Sequence, residues 1–431
     1  MNEYDSNRIL DITKKINYTV THNLKEADCY VLNTCHIREK ATDKVYHDIG
    51  RLKKEFRNKN KPITIIAGCV AQAEGDILLK KEKYIDAIVG PQSYHDINEI
   101  ILKVEKNFKK INYTEFNVIN KFDQLHLIKN LENKISSFLT IQEGCDKFCN
   151  FCVVPYTRGS EFSRSFSEIL SEAKQLVNNG SMEITLLGQN VNAYSYKNKK
   201  LSDLIFELNE IKNLRRIRYT TSHPNDVTDD LIDAHYKCKK LMPLLHLPVQ
   251  SGSNKILKNM NRKHSIEMYY EKIEKLKNKK NGIKFSSDFI IAYPGESLED
   301  FNETLLLMKK IKFINSYSFI FSSRPGTPAS KMKNVDINTA KERLQIFQHI
   351  ANNIKMDYRK SLINTTAKVL FENRIREEKK YFGRDEYNNS VIASNDTNLT
   401  GTIQNVKILT HNHNTLFGEV LTEIKSKEFA A

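Results

Sequence analysis

Three cysteines stand within one short segment, IQEGCDKFCNFCVVPYTRG (residues 141–159): Cys145, Cys149 and Cys152. Deprotonated thiols at this C-x3-C-x2-C spacing can hold a metal centre. A structural zinc site takes four ligands, usually from two paired knuckles, and cysteine-rich catalytic zinc sites normally include histidine. No fourth thiol and no histidine stands near this run. An iron–sulfur cubane takes one thiolate per iron, so three thiolates leave one iron open to a small molecule. The spacing favours the cubane and leaves zinc as the alternative.

Four more cysteines are scattered along the chain: Cys29, Cys35, Cys69 and Cys238. The total is odd and the opening MNEYDSNRIL has neither a basic region nor an apolar core, so it does not read as a secretory leader. A disulfide framework is therefore not expected, and metal or redox use is favoured. Cys29 sits inside a strand-like run and reads as core. Cys238 sits in a helical pattern between two lysines and reads as a bystander.

The elements that must position these thiols fall into three regions of the 431 residues. The first, 1–120, alternates strand-like runs at 29–35 and 63–69 with helical patterns at 37–57 and 71–80. Each run ends in a cysteine, Cys35 or Cys69, followed by a helix, and ligand sites of open parallel sheets lie at such strand ends. A polar stretch without periodicity, about 116–134, reads as a linker. The second region, 131–360, has strand patterns at 136–143, 184–188, 216–221, 244–250, 283–291 and 315–321. Helical patterns lie between them at 165–179, 201–212, 228–240, 265–279 and 297–311. Six βα units predict a partial parallel barrel with its chemistry at the C-terminal strand ends. The third region, 361–431, is rich in β-branched and turn residues and predicts a small antiparallel β-barrel. The fold class is thus α/β: an open parallel sheet, a partial (β/α)6 barrel and a small β-barrel.

A net charge of +15 and a pI near 9.2 fit a polyanionic partner such as nucleic acid. Lys/Asn-rich stretches such as KNKKNGIK explain the same charge as compositional bias. No apolar run approaches the ~20 residues that span a bilayer, so no membrane is expected and the cytoplasm is the default location.

The motifs, taken together, resemble one family. MNEYDSNRIL, VLNTCHIREKA, AGCVAQAEGD, FLTIQEGCDKFCNFCVVPYTRGSEFSR, LLGQNVNAY, RYTTSHPND, LMPLLHLPVQSGSNKILKNMNRKHS, FSSDFIIAYPGE and SSRPGTPA are similar to stretches of the radical S-adenosylmethionine (SAM) methylthiotransferases. They run from Met1 to about residue 330, and the last region is similar, more loosely, to that family's RNA-binding TRAM domain. The resemblance implies that Cys145, Cys149 and Cys152 hold a 4Fe–4S cluster whose open iron binds SAM. It implies a radical attack on carbon 2 of the dimethylallyl (isopentenyl) adenosine next to the anticodon of tRNA. Cys35 and Cys69 would belong to a second 4Fe–4S cluster that supplies or carries sulfur, and a second SAM would give the methyl group. Relatives that act on threonylcarbamoyl-adenosine or on a ribosomal aspartate are the near alternatives. A zinc-stabilised RNA-binding protein is the alternative of another class.

Further roles follow by the same resemblance. Gln189 and Asn190 would hold the SAM amino group, and Gln250 and Ser251 would face the same side. Arg324 would meet a carboxylate or phosphate, and Arg158 would meet RNA phosphates at the mouth. A polar turn, a surface ion pair and a solvated loop arginine are the plainer readings of these positions. A low-potential electron donor such as a flavodoxin or ferredoxin is implied, and a monomer is expected. The family's first domain carries a third cysteine in a GCQMNEYDS-type motif, whose Met is where this chain opens. A misassigned start is the favoured explanation, ahead of a decayed gene or of Cys29 standing in, and the chain as written is expected to hold the second cluster poorly or not at all. Iron counting after anaerobic reconstitution checks this: about four irons per chain are expected, against about eight for two full cubanes.

Overall fold

A computed structural model describes residues 2–35, 40–107, 110–115, 134–375 and 378–421. The stretch read as a linker lies almost wholly outside them, as do the first residues of the helix expected over 37–57. Among the described residues no helix is long and apolar enough to cross a membrane.

The first unit runs α1 (Asn2–Thr13), β1 (Cys29–Thr34), α2 (Lys40–Glu55), β2 (Ile63–Gly68), α3 (Cys69–Lys81), β3 (Ala87–Val89), α4 (Ile97–Glu105) and β4 (Ile111–Tyr113). Its four strands pair in parallel in the order β1-β2-β3-β4. Strand β2 is apolar along its length because helices cover both faces. Ile65 and Ala67 join α1 and α4 in one core, with Ile9, Ile12, Ile97 and Ile100. Ile66 turns the other way, to Val45, Ile49, Val70 and Leu78. Helices α1 and α4 and strands β3 and β4 are additions to the sequence reading. The two strands have three residues each, too few for a period to register.

The second unit carries strands β5 (Ser136–Thr140), β6 (Glu183–Leu187), β7 (Arg216–Tyr219), β8 (Leu244–His246), β9 (Lys284–Ile291) and β10 (Asn315–Ile320). Helices α5 (Phe166–Asn178), α6 (Leu201–Glu210), α7 (Asp229–Lys237), α8 (Ile266–Lys279) and α9 (Leu298–Ile311) lie between successive strands. Neighbours in the chain are neighbours in space: β5-β6-β7 and β8-β9-β10 pair in parallel, and a bridge between Ile217 and Leu241 joins the two sets. Among the described residues β5 and β10 form no ladder, so the barrel is open on that side. The strand expected over 136–143 stops at Thr140, and Gln142–Glu143 pairs instead with Phe162–Ser163. The strand expected over 244–250 ends at His246, with one further bridge from Gln250 to Phe289. A long helix missing from the sequence reading, α10 (Ile337–Ser361), follows β10. Asp336 caps it by accepting from the amides of Asn338 and Thr339, both at 3.0 Å. Its buried Phe347 ring lies 4.7 Å from that of Phe289.

The third unit is a closed barrel of β11 (Thr366–Arg374), β12 (Lys380–Arg384), β13 (Ser390–Ser394), β14 (Ile403–His411) and β15 (Thr415–Val420). The expectation of a wholly antiparallel barrel needs correction: β13 and β15 pair in parallel. Five strands form a ring of odd number, and directions cannot alternate all the way round it.

Two buried arginines dock this barrel on the larger one. Alternation along β7 puts Ile217 on one face and Arg216 and Arg218 on the other. Arg216 donates to the carbonyls of Arg384 (2.8 Å) and Lys368 (2.7 Å). Arg218 donates to those of Asp385 (2.8 Å) and Glu386 (3.0 Å) and pairs with Glu183 at 3.0 Å. Burial pulls the Arg216 guanidinium below its ordinary value. Arg218→Ala leaves Glu183 without its nearest cation and is expected to cost about 3 kcal/mol. Denaturant unfolding measures the loss, and hydrogen exchange at residues 384–389 should quicken with it.

Candidate functional site

The three thiols occupy the loop after β5, at the C-terminal mouth of the open barrel. Gly144 makes the turn into that loop. It has φ +75°, and a Cβ there would lie 1.9 Å from the Ser160 carbonyl oxygen. Cys145 then donates its amide to the Gly159 carbonyl at 3.2 Å. Two glutamines hold the loop against β6. Gln142, fully buried, accepts from the amides of Gln189 (3.0 Å) and Asn190 (3.1 Å) and donates to the Gly144 carbonyl (2.8 Å). Gln189 answers by accepting from the Gly144 amide at 2.8 Å.

Cys149 is buried, and Cys145 and Cys152 are half-buried. Arg262 donates to the Cys149 sulfur at 3.6 Å. Burial, with the neighbouring cysteines adding to it, pushes the Cys145 thiol up to about 12 and the Cys152 thiol up to about 11. The three sulfurs are therefore close enough to feel one another, and a bound cation would have to displace their protons. Among the described residues no three His, Cys, Asp or Glu side chains crowd round a single-ion site. The all-thiol donor set fits an iron–sulfur centre, in which each thiolate meets a different iron.

Around the loop lie polar atoms whose hydrogen bonds are unfilled. Asn190 donates to Glu161 (3.1 Å) and Asp226 (2.8 Å), and Lys147 of the cysteine loop pairs with the same Asp226 at 2.7 Å. The Asn190 Oδ1, Ser222 Oγ, His223 Nε2 and His264 Nε2 atoms are all buried and unpartnered. The two histidine rings meet edge to face at 5.6 Å. His223 Nδ1 accepts from the Asn225 amide, and His264 Nδ1 lies 3.1 Å from the Arg262 carbonyl. That pattern assigns a donor to His223 Nε2 and an acceptor to His264 Nε2. Buried polar atoms without partners are rare in folded proteins, and this set fits a polar ligand beside the thiols. Backbone strain gathers at the same mouth: Phe148, Thr221, Gln250 and Ala292 all have positive φ.

Cys35 and Cys69 meet at the C-terminal edge of the first sheet. The register pairs Thr34 with Gly68, so the residues that follow them emerge side by side. Gly68 has φ +94°, and a Cβ there would come within 2.3 Å of the Thr34 carbonyl oxygen. Asn33 donates to the Asn2 carbonyl and the Ser6 hydroxyl, both at 3.0 Å, which brings the start of α1 to this edge.

Other expected residues stand differently. Arg158 does not face RNA: it is 2% exposed and lies 2.7 Å from Asp5 and 3.5 Å from Glu143. The carboxylates of the protein itself draw it inward. Ser251 is buried, its hydroxyl against Thr304 (3.4 Å) and accepting from the Ser253 amide (3.2 Å), so it braces the turn onto α9. Gln250 lends its amide to the Asp288 carbonyl at 3.0 Å. Arg324 is buried and not a surface residue, and its carbonyl closes a turn with Thr327. Burial pushes the Cys29 thiol up to about 12 and that of Cys238 up to about 11, in keeping with core roles. Ser222, His223, Arg262 and His264 escaped the sequence reading. Their signal was position, since Ser222 and His223 follow the end of β7 within four residues.

Residues 139–308 match the radical SAM superfamily, and residues 1–90 match an uncharacterized protein family, UPF0004. The chain is 57% identical to the tRNA-2-methylthio-N(6)-dimethylallyladenosine synthase of Pelagibacter ubique (strain HTCC1062), covering 100% of this chain and 97% of that protein. The chain belongs to this synthase family. The family's enzyme from Rickettsia akari (strain Hartford) is 46% identical over 98% of this chain and 97% of its own length. Beyond the synthases, the fold is shared with the radical SAM methyltransferase TsrM from Kitasatospora setae, solved with cobalamin and a 4Fe–4S cluster. That match has a TM-score of 0.60 at 11% identity, over 77% of this chain and 71% of TsrM.

In this member of the synthase family the mouth holds a pH-sensitive group. Burial, then the neighbouring Arg262, lowers His264 from 6.5 to about 4. Folding thus favours the neutral ring: its stability is full above pH 6.5 and is lost as the pH falls toward 4. Denaturant midpoints at pH 7 and pH 4.5 should show this loss, and His264→Asn should reduce the difference between them.

Proposed function

We propose that the protein adds a methylthio group to carbon 2 of the dimethylallyl (isopentenyl) adenosine adjacent to the anticodon in tRNA. The arrangement that carries this reading is the all-thiol loop of Cys145, Cys149 and Cys152, set among unfilled polar atoms at the barrel mouth of a synthase-family chain. When bound, an iron–sulfur centre and SAM supply the one-electron chemistry that a C–H bond without an acid–base handle requires. The chain's own residues bind and orient. Cys145, Cys149 and Cys152 hold the first centre, and Arg262 stabilises negative charge on the Cys149 sulfur. Asn190, Ser222, His223 and His264 offer both donors and acceptors to SAM at the mouth. Gln189 acts one step back, by fixing the turn into the cysteine loop. Ser251 and Gln250 shape the neighbouring strand end, and Arg324 lines the loop after β10. Cys35 and Cys69 are two ligands of the second centre.

The tRNA meets a basic protein whose small β-barrel is held rigid by Arg216 and Arg218. A monomer acting in the cytoplasm and reduced by a flavodoxin or ferredoxin completes the reading. The test is anaerobic incubation with SAM, a reductant and isopentenylated tRNA, followed by mass analysis of nucleosides. The methylthio nucleoside is expected from protein loaded with iron at both centres, and Cys149→Ala should bring it below detection. Iron-loaded protein that leaves this nucleoside untouched, or modifies threonylcarbamoyl-adenosine instead, sinks the assignment.

A further inference from the structure

The inside of the larger barrel is hollow below its mouth. Barrels of parallel strands are ordinarily filled there by layers of branched apolar side chains. Alternation along each strand sends one set of residues inward and the other against the helices. In β6, Ile184 and Leu186 join the core, while Glu183 and Thr185 face a cavity of about 330 Å³. Asn315 and Tyr317 of β10 line the same cavity, and Phe319 follows on that side, nearer the mouth. Two aromatic rings stand in its wall on the two strands that no ladder joins among the described residues. They are Phe138 of β5, 39% exposed, and Tyr317 of β10, 53% exposed. Exposed as it is, Tyr317 is braced: its ring meets that of His246 edge to face at 6.2 Å. His246 is held in turn by the Ser286 hydroxyl at 2.9 Å and lies 3.5 Å from Asp288. The third unit supplies the rim, with Arg384 and Asn388. The Arg384 carbonyl accepts from Arg216 at 2.8 Å, which fixes its backbone. Its side chain lies 3.4 Å from Glu372 and remains partly exposed.

We propose that this cavity takes the purine of an RNA nucleotide, with Phe138 and Tyr317 as its stacking surfaces and Arg384 as the contact to a flanking phosphate. The inference rests on the reading of the substrate as an adenosine within tRNA, and it adds which side chains grip that nucleotide. The volume lies within the range of small-molecule sites. Bases in RNA loops are read by splaying them onto aromatic faces, and a ring already braced by its neighbours loses little freedom when a base settles on it. Thr185, Ser286 and Asn315 offer hydrogen bonds to a base edge or a ribose hydroxyl. The loop of Cys145, Cys149 and Cys152 follows the strand that carries Phe138, so the base lies between the thiols and the third unit. Phosphate contacts set register and orientation without reading sequence. Arg384 at the rim therefore gives the small β-barrel a share in placing the nucleotide, beyond its general positive charge.

The test is binding, not turnover. The full-length protein, reconstituted anaerobically with iron and sulfide and kept without a reductant, is titrated into two labelled anticodon stem-loops. One carries isopentenyladenosine next to the anticodon, and the other is abasic at that position. Fluorescence anisotropy gives Kd for each over a range of salt concentrations. The wild type is expected to bind the loop that carries the base about tenfold tighter than the abasic loop. Tyr317→Ala and Phe138→Ala should each weaken binding of the base-bearing loop about fivefold or more and leave the abasic loop unchanged. Tyr317→Phe should keep the preference, since it keeps the ring. Arg384→Gln should weaken both loops alike and lower the salt slope by about 1. The abasic loop doubles as the control for folding: alanine variants that weaken both loops equally overturn the stacking role. A wild type that binds the two loops equally, or a base preference that survives both alanine variants, overturns the cavity assignment and leaves the proposed reaction standing. Conversely, protein loaded with iron at both centres that shows the base preference and forms no methylthio nucleoside sinks the reaction and leaves the cavity's role intact.

Discussion

One buried side-chain amide, that of Gln142, ties the ends of two neighbouring strands to the loop that carries the thiols. Its oxygen takes two backbone amides of the β6 end, and its nitrogen serves the carbonyls of Gly144 and Glu143. A loop at a barrel mouth has no ladder of its own, and each buried amide left unpaired costs about 1–3 kcal/mol. Gln142 supplies that missing ladder in a single residue. The glycines on either side follow from it. A Cβ at Gly188 would come within 2.6 Å of the Gln142 oxygen, and one at Gly144 would strike Ser160. The cysteine loop can therefore enter a fixed path before any metal arrives.

The same economy governs the joints between units. Arg158 and Arg8 bind the first sheet to the barrel through Asp5, Glu143 and Glu172. Arg216 and Arg218 bind the last barrel through main-chain carbonyls. Apolar interfaces would hold as well, but they can slide. A guanidinium with several partners fixes both distance and orientation, which suits an enzyme whose two thiol sites lie on separate units.

The frame was largely legible. The six strands and five helices of the barrel follow apolar periodicity, and their ends differ from the sequence reading by a few residues at most sites. The cysteines were legible because their spacing is itself chemistry. What escaped had other causes. Strands β3 and β4 are short, and α1 is polar, being fixed by burial of Tyr4, Arg8, Ile9 and Ile12 against distant partners. Arg158 was misread because an arginine in a loop carries no sign of whether its partner is solvent, phosphate or Asp5, which lies 153 residues away. His223 and His264 were passed over because one residue in a motif does not announce an empty hydrogen bond. Sequence pattern reports the period of burial well, and it reports the pairing of buried charge poorly.

The gap between β5 and β10 has a topological meaning. A nucleoside in the middle of a polynucleotide has chain on both sides. It reaches a buried pocket by turning out of its stack, with its chain continuing on both sides, and an open seam gives that chain room. Among the described residues four ladders and one bridge join the six strands and none joins β5 to β10, which leaves such an opening beside the strand ends that carry the site.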